Sequence, residues 1–496
     1  MVTRAGDTAF FGHPRGLSTL FFTEMWERFS YYGMRALLIL FMTAPTGEGG
    51  LGFDTVTAGA VYGLYTAMVY MTTLPGGWIA DRLLGAQSAV LWGGLTIAAG
   101  HFAMAFPSLT TFYVGLVLIV IGTGLLKGNV SVIVGRLYAT DDPRRDAAYS
   151  IFYMGINTGS FLAPLVCGYL GQRVNWHAGF AAAGIGMTIG LVQFLWGRHH
   201  LGDAGRAPAI TDPKALAETR RFLRIASGGV CALAVAVWAG VAYGVLRLSP
   251  TTVADVAGYA LLGITLGFFG WLYVFSSGWT PLERRRLYLI GLLFLGAALF
   301  WSEFEQAGST LNLFADRNTR NEIFGVPFPS SWFQAANALF IIAFAPAFAW
   351  LWVRLARRGQ EPSSTGKFGL GLVLVGAGFG TLVVPALLFP PGTLVSPWWL
   401  VATYLLHTWG ELALSPVGLS AMSKLAPARI GGLVMGVWFL AASVGNYFGG
   451  RMAAFYESMP LSSLFGLVAA TGVGAGLVML AIARLTAPLE RSPDGA

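Results

Sequence analysis

Apolar runs of about twenty residues recur from one end of this chain to the other, and a run of that length can cross the hydrocarbon core of a bilayer as a helix. Within that core every backbone N–H and C=O must be satisfied internally, which leaves only helices or a closed β-barrel. The strict alternation of apolar and polar residues that barrel strands require is absent, so the sequence predicts an all-α polytopic membrane protein. Composition agrees, because only 11% of the 496 residues are charged, with 55% hydrophobic and a mean hydropathy of +0.64. A soluble protein carries about 25% charged residues, so a soluble enzyme is excluded.

Windows of about 19 residues place spans near 17–42, 55–80, 88–106, 109–137, 147–170, 176–196, 224–245, 254–275, 287–311, 331–354, 368–388, 397–421, 430–454 and 462–487, about fourteen helices. The excess of 31 Lys and Arg over 23 Asp and Glu gives a net charge of +8, but the basic residues lie between the apolar runs and form no nucleic-acid patch. Counted loop by loop, 23 of them fall on the side of the N-terminus and 5 on the other, namely Arg173, Arg247, Arg317, Arg320 and Arg451. The positive-inside rule then predicts a multi-pass protein of the inner or plasma membrane with both termini cytoplasmic. Residues Met1 to Gly16 carry no compact signal peptide, and the first helix is expected to be retained. The three remaining cations, Arg28, Arg35 and Lys127, lie inside spans.

The longest cytoplasmic connection, about 197–223, contains Gly202, Gly205, Pro208 and Pro213 and, up to Arg224, six basic residues. It predicts a six-helix bundle over 1–197, a linker over 198–223, an inserted, lipid-facing helical hairpin over 224–275 and a second six-helix bundle over 276–496. Six plus six helices is the arrangement expected of parallel repeats related by an axis along the membrane normal, although no short sequence repeat accompanies it. Cys167 and Cys231 sit in apolar stretches and support neither a disulfide framework nor a zinc site.

Span 1 carries Glu24, Glu27, Arg28, Tyr31, Tyr32 and Arg35 on one helical face. An uncompensated charge at mid-bilayer costs about 2.5–3.5 kcal/mol even by low estimates, so these groups must face a polar cavity or each other. A static ion-pair network is the plainer reading, but a rigid bundle reaches equal stability with apolar residues. The second half supplies Glu303, Glu305 and Glu411. Under the six-plus-six pairing the helix of Arg35 corresponds to that of Glu305, and the helix of Lys127 to that of Glu411. Counting along each helix puts Arg35 and Glu305 in the outer halves, with Lys127 and Glu411 toward the inner halves. This predicts two alternating gates, Arg35–Glu305 outside and Lys127–Glu411 inside, around a midplane site. Carboxylates among cations also suit proton coupling, since a rearranging pair can take up and release a proton; Glu24 and Glu27 beside Arg28 are the foremost candidates. His407 shares a face with Glu411, and a structural role is the expectation for it.

Four segments resemble the proton-dependent oligopeptide transporters of the major facilitator superfamily. Glu24-x-x-Glu27-Arg28-Phe29-x-Tyr31-Tyr32-Gly33 resembles that family's first-helix motif, and Gly76-Gly77 through Asp81 to Gly85 its signature after the second helix. Phe152-Tyr153-x-x-Ile156-Asn157-x-Gly159-Ser160 is similar to the fifth-helix signature, and Gly410-Glu411-Leu412-x-Leu414-Ser415-Pro416 to the tenth-helix one. The resemblance implies a proton-coupled symporter importing di- and tripeptides, not an enzyme, with protons as the coupling ion and no other cofactor or metal. It places Arg35, Lys127 and Glu305 around the peptide carboxylate and Glu411 with Asn337 near its amino group. Tyr31, Tyr32, Tyr70, Asn157, Trp301, Ser415 and Trp438 would line the pocket. A short peptide is a zwitterion, so cationic and anionic poles facing across a cavity suit it. Packing is the alternative for the aromatics, and interhelical hydrogen bonding for Asn157, Asn337 and Ser415.

Span 55–80 lacks the histidine to which animal relatives assign proton binding, so coupling is expected to rest on Glu24, Glu27, Arg28 and Glu305. Gln87 stands where the second-helix signature is often basic. The same scaffold also suits nitrate, a sugar or a drug, and a ligand receptor that does not transport is the alternative of a different class. Peptides and the lipid bilayer are the expected partners, with no nucleic acid and a monomer as the functional unit. Gly122-Thr-Gly124-Leu-Leu-Lys127-Gly128 lacks the spacing and following hydroxyl of a phosphate loop.

Overall fold

The computed structural model describes residues 7–139, 141–206 and 212–490. Among them fourteen long helices run in the expected order: α1 Arg15–Thr43, α2 Thr55–Met71, α3 Ala86–Met104, α4 Leu109–Arg136, α5 Arg145–Tyr169, α6 Trp176–Gly197 and α7 Pro213–Ala242. The remainder are α8 Pro250–Gly270, α9 Pro281–Phe304, α10 Gln334–Arg357, α11 Ser364–Leu388, α12 Trp398–Leu425, α13 Gly431–Arg451 and α14 Leu461–Glu490. Ten helical segments are apolar enough to cross a membrane on composition alone. The helix α1 fails that test because Glu24, Glu27, Arg28 and Arg35 are built into it.

Starts are set by local chemistry. Asp54 caps α2 through Thr57 N at 2.7 Å, Ser249 caps α8 through Thr252 N at 3.0 Å, and Thr280 with Glu283 forms a reciprocal capping box at α9. The same logic corrects one expectation. Within 198–223, read as a connecting loop, the chain is already helical from Pro213, because Asp212 accepts hydrogen bonds from Lys214 N and Ala215 N and Pro213 occupies the first turn. Hydropathy alone starts that helix late because its first turns are charged. Pro208 lies outside the described residues.

Each six-helix half is drawn together by glycine. A Cβ added at Gly93 of α3 would lie 2.6 Å from Gly122 O of α4, and one at Gly371 of α11 would lie 3.0 Å from Gly410 O of α12. Besides the contacts of α1 with the end of α9, two seams join the halves. At α2/α13 main chain meets main chain: a Cβ at Gly63 would lie 2.7 Å from Tyr447 O, and one at Gly450 would lie 2.3 Å from Gly63 Cα. Where α5 ends and α10 begins side chains interlock: Trp332 Nε1 donates to Leu165 O at 3.1 Å, Gln172 Nε2 to Ser330 Oγ at 2.7 Å, and Ser331 N to Gln172 Oε1 at 3.1 Å.

The inserted pair is not uniformly lipid-facing. The helix α7 is largely exposed, whereas α8 docks on α13 through Asp255–Arg451 at 3.0 Å and through Tyr447 OH, which donates to Ala254 O at 3.0 Å. A feature absent from the hydropathy reading follows α9. The chain leaves its helix at Glu305–Gly308 as a 3-10 turn, re-forms a short helix at Thr310–Arg317, and pairs Glu322–Ile323 with Val326–Pro327 as a small antiparallel hairpin. Its turn holds Phe324 at φ 52° and Gly325 at φ 80°.

Candidate functional site

Between the halves lies a cavity whose walls come from both. The first half contributes Tyr32 and Arg35 from α1 and Tyr70 from α2; the second contributes Trp301 and Glu305, Asn337 from α10, and Glu411 from α12. These seven were expected from the sequence. Phe304, Ala307, Gln334, Tyr404 and His407 complete the wall.

One pole is cationic in origin and already paired. Arg35 Nη2 lies 2.9 Å from Glu305 Oε2, both side chains almost fully buried, and Arg35 Nε donates to Tyr62 OH at 2.9 Å. Glu305 reaches across because α9 ends at Phe304, turning the carboxylate out at the first residue of the 3-10 turn. Asn312 Nδ2 donates to Ala36 O at 2.8 Å, tying the re-formed helix to α1 on the same side. The other pole is Glu411, whose Oε2 accepts from Asn337 Nδ2 at 3.0 Å, while the same amide donates to Thr408 Oγ1 at 3.1 Å.

Lys127 stands one layer back. Its ammonium lies 3.6 Å from the centroid of the Tyr70 ring, a cation–π contact, and it makes no ion pair with Glu411. The two expected gates are therefore in opposite conditions, the Arg35–Glu305 pair made and the Lys127–Glu411 pair unmade. Glu24, Glu27 and Arg28 form a separate buried cluster below the cavity. Arg28 Nε lies 3.2 Å from Glu24 Oε1 and also donates to Glu27 Oε2, leaving Glu24 Oε2, Glu27 Oε1 and Arg28 Nη2 without a hydrogen-bond partner among the described residues. Removing one member of such a buried set costs about 3–5 kcal/mol, because the survivor is left charged and unpaired.

The other expected residues stand off the cavity wall. Tyr31 packs edge-on against Tyr32 at 5.2 Å with Arg28 over its ring, and Trp438 packs edge-on against Trp301 at 6.5 Å. Asn157 Nδ2 donates to Tyr153 O of its own helix at 2.9 Å, and Ser415 is half-buried on α12. The sequence reading missed Tyr62, Gln334 and Tyr404. Tyr62 was findable, since it lies two turns before Tyr70 on nearly the same face, and Gln334 lies one turn before Asn337. Tyr404 carried no signal that separates it from packing.

Fourteen helices, two six-helix halves and an ionisable cavity between them define a membrane transporter of the major facilitator fold. The model of the POT family (PTR2) matches residues 87–472. A Bacillus subtilis (strain 168) protein named as an uncharacterized transporter is 45% identical over 475 residues, covering 95% of this chain and 94% of that one. A peptide transporter of Yersinia enterocolitica subsp. palearctica serotype O:3 (strain YE-P4) is 40% identical, covering 98% and 96%, and a di-/tripeptide transporter of Lactococcus lactis subsp. cremoris is 38% identical, covering 96% of each. Among solved structures, a peptide transporter POT in complex with sulfate superposes with a TM-score of 0.91 at 43% identity, covering 97% of this chain and 96% of that one. The chain belongs to the POT family and is a transporter rather than an enzyme.

Proposed function

We propose that this protein imports di- and tripeptides together with protons by alternating access. The observation that carries the reading is a cavity with Arg35 and Glu305 at one pole and Glu411 at the other, lined between them by Tyr32, Tyr70 and Trp301. A zwitterionic backbone of short, fixed length spans such poles, and aromatic walls accept varied side chains. Relatives named as di-/tripeptide transporters support the substrate class.

Arg35–Glu305 acts as the outer gate and Lys127–Glu411 as the inner one. On this reading, the first pair formed and the second apart make a state closed on the face opposite the N-terminus. A proton taken by Glu305 from the outer side frees Arg35 and opens that face, the carboxylate of the arriving peptide then pairs with Arg35, and Glu24, Glu27 and Arg28 relay or hold the coupling charge. Inward movement of one charge is worth about 2.3 kcal/mol per 100 mV, enough for roughly fifty-fold accumulation. Lys127 joins Arg35 around the peptide carboxylate, Asn337 joins Glu411 at its amine, and Tyr31, Asn157, Ser415 and Trp438 form a second layer behind the wall. Both termini face the cytoplasm, and one chain suffices for transport.

The test is purified protein in sealed liposomes with an internal pH dye, given dialanine under an inside-negative potential. Lumenal acidification that requires both dialanine and Glu411 is expected. Wild-type protein that binds dialanine without acidifying the lumen would overturn the symporter reading in favour of a receptor.

A further inference from the structure

The last turns of α10 carry three arginines, Arg354, Arg357 and Arg358, all exposed and none with a hydrogen-bond or ion-pair partner among the described residues. The neighbouring acid, Glu361, is already held by Lys367 at 2.5 Å. Like charges one turn apart on a helix repel each other by a few tenths of a kcal/mol, so an anion held among them relieves that repulsion. Directly along the helix from them lies Trp350, 59% exposed, with the Arg354 guanidinium 4.9 Å from its ring centroid. Spacing of 350, 354 and 357/358 puts these groups on one face. They line a groove of about 540 Å³ whose floor is apolar, made by Ala349, Trp350 and Val353, and whose rim is arginine. Only 11% of the apolar window of this helix is buried in the protein, and Trp350 and Val353 of the groove are both exposed.

We infer that this groove is a binding site for an anionic glycerophospholipid, its phosphate held among Arg354, Arg357 and Arg358 and its acyl chain lying along Val353 and Trp350. Polar rim and apolar floor follow each other along the helix in the order in which a phospholipid presents headgroup and chain, and an interfacial Trp marks the boundary. Three uncompensated cations select a net-negative headgroup over a zwitterionic one; basic pockets beside spans recognise anionic headgroups by the same chemistry. The same helix carries Asn337, the partner of Glu411, so a lipid held here anchors one wall of the transport cavity.

The test titrates delipidated full-length protein with dioleoyl phosphatidylglycerol and with dioleoyl phosphatidylcholine, reading bound lipid by native mass spectrometry. Wild type is expected to prefer phosphatidylglycerol, and Arg354→Gln/Arg357→Gln/Arg358→Gln to lose about a hundredfold of that preference. The matched control Arg220→Gln/Arg221→Gln/Arg224→Gln, on α7, should keep it. Brominated phosphatidylglycerol should quench a fluorescence component that is missing in Trp350→Phe. An unchanged preference in the α10 variant, or an equal loss in the control, would overturn the assignment and leave only diffuse attraction to basic surface. Dipeptide binding by both triple variants shows that they are folded.

Discussion

Replacing Glu305 by Gln should open the outer side of the protein. In the structure Arg35 is buried with two partners, the Glu305 carboxylate at 2.9 Å and the Tyr62 hydroxyl at 2.9 Å. The amide keeps an acceptor but removes the charge, leaving a guanidinium in a low-dielectric site with no counter-ion. Breaking a buried pair from one side costs about 3–5 kcal/mol, and the acceptor that remains places Glu305→Gln near the lower end. In the state open on that side Arg35 is hydrated and this penalty vanishes, so the whole difference enters the closed-to-open equilibrium. At about 1.4 kcal/mol per tenfold, the closed state loses roughly a hundredfold or more of its advantage. Spin labels at Val174 and Phe324, exposed positions on opposite halves of that face, report the change by pulsed electron resonance. A shift of the distance distribution to longer values is expected. An unchanged distribution in a variant that still binds dipeptide would refute the argument that this ion pair holds the face shut.

Tyr62→Phe removes the second partner only, and an orphaned buried N–H costs about 1–3 kcal/mol, so the same labels should show a smaller shift in the same direction. Gly472→Ala would set a methyl carbon 2.2 Å from Glu303 Oε2, and a melting curve in detergent should show a loss of about 1–3 kcal/mol that Glu303→Ala in the same chain largely restores; additive losses would contradict the steric link. Lys127→Ala and Glu411→Gln should each abolish uphill uptake, whereas Glu27→Gln should retain peptide exchange and lose proton coupling. Counterflow of labelled dialanine separates these cases, and concentrative uptake by Glu411→Gln would remove that carboxylate from the inner gate.

The bundle was legible because bilayer crossing imposes length and apolarity on every helix, and all fourteen spans match helices of the structure. Boundaries failed where charge masks a helical start, as at Pro213, and where a helix breaks for geometric reasons, as at Glu305 to Ser309. Nothing in hydropathy distinguishes the broken end of α9 from a continuous span, yet that break is what points Glu305 at Arg35. The ionisable members of the cavity stood out because charge is rare and costly inside apolar runs. Its aromatic and amide members did not, since a Trp such as Trp438 reads the same whether it touches the cavity or stands behind Trp301. Glu303 shows the limit of the charge signal. It was as conspicuous as Glu305 in the sequence, but it faces away from the cavity into α14, where Thr471 donates to it at 3.3 Å.

The two seams between the halves are built of different material, and that difference constrains how the molecule moves. Along α2/α13 main chain lies against main chain at Gly59, Gly63 and Gly450, and Ser443 Oγ donates to Ala67 O at 2.8 Å, so the halves meet there in a close contact that suits a pivot. Along α5/α10 an indole, an amide and two serines must part before the faces separate. Opening is then lopsided, more like a door than a clamshell: α2/α13 serves as the fulcrum, α5/α10 as the clasp, and the first gap for solvent appears beside Gln172.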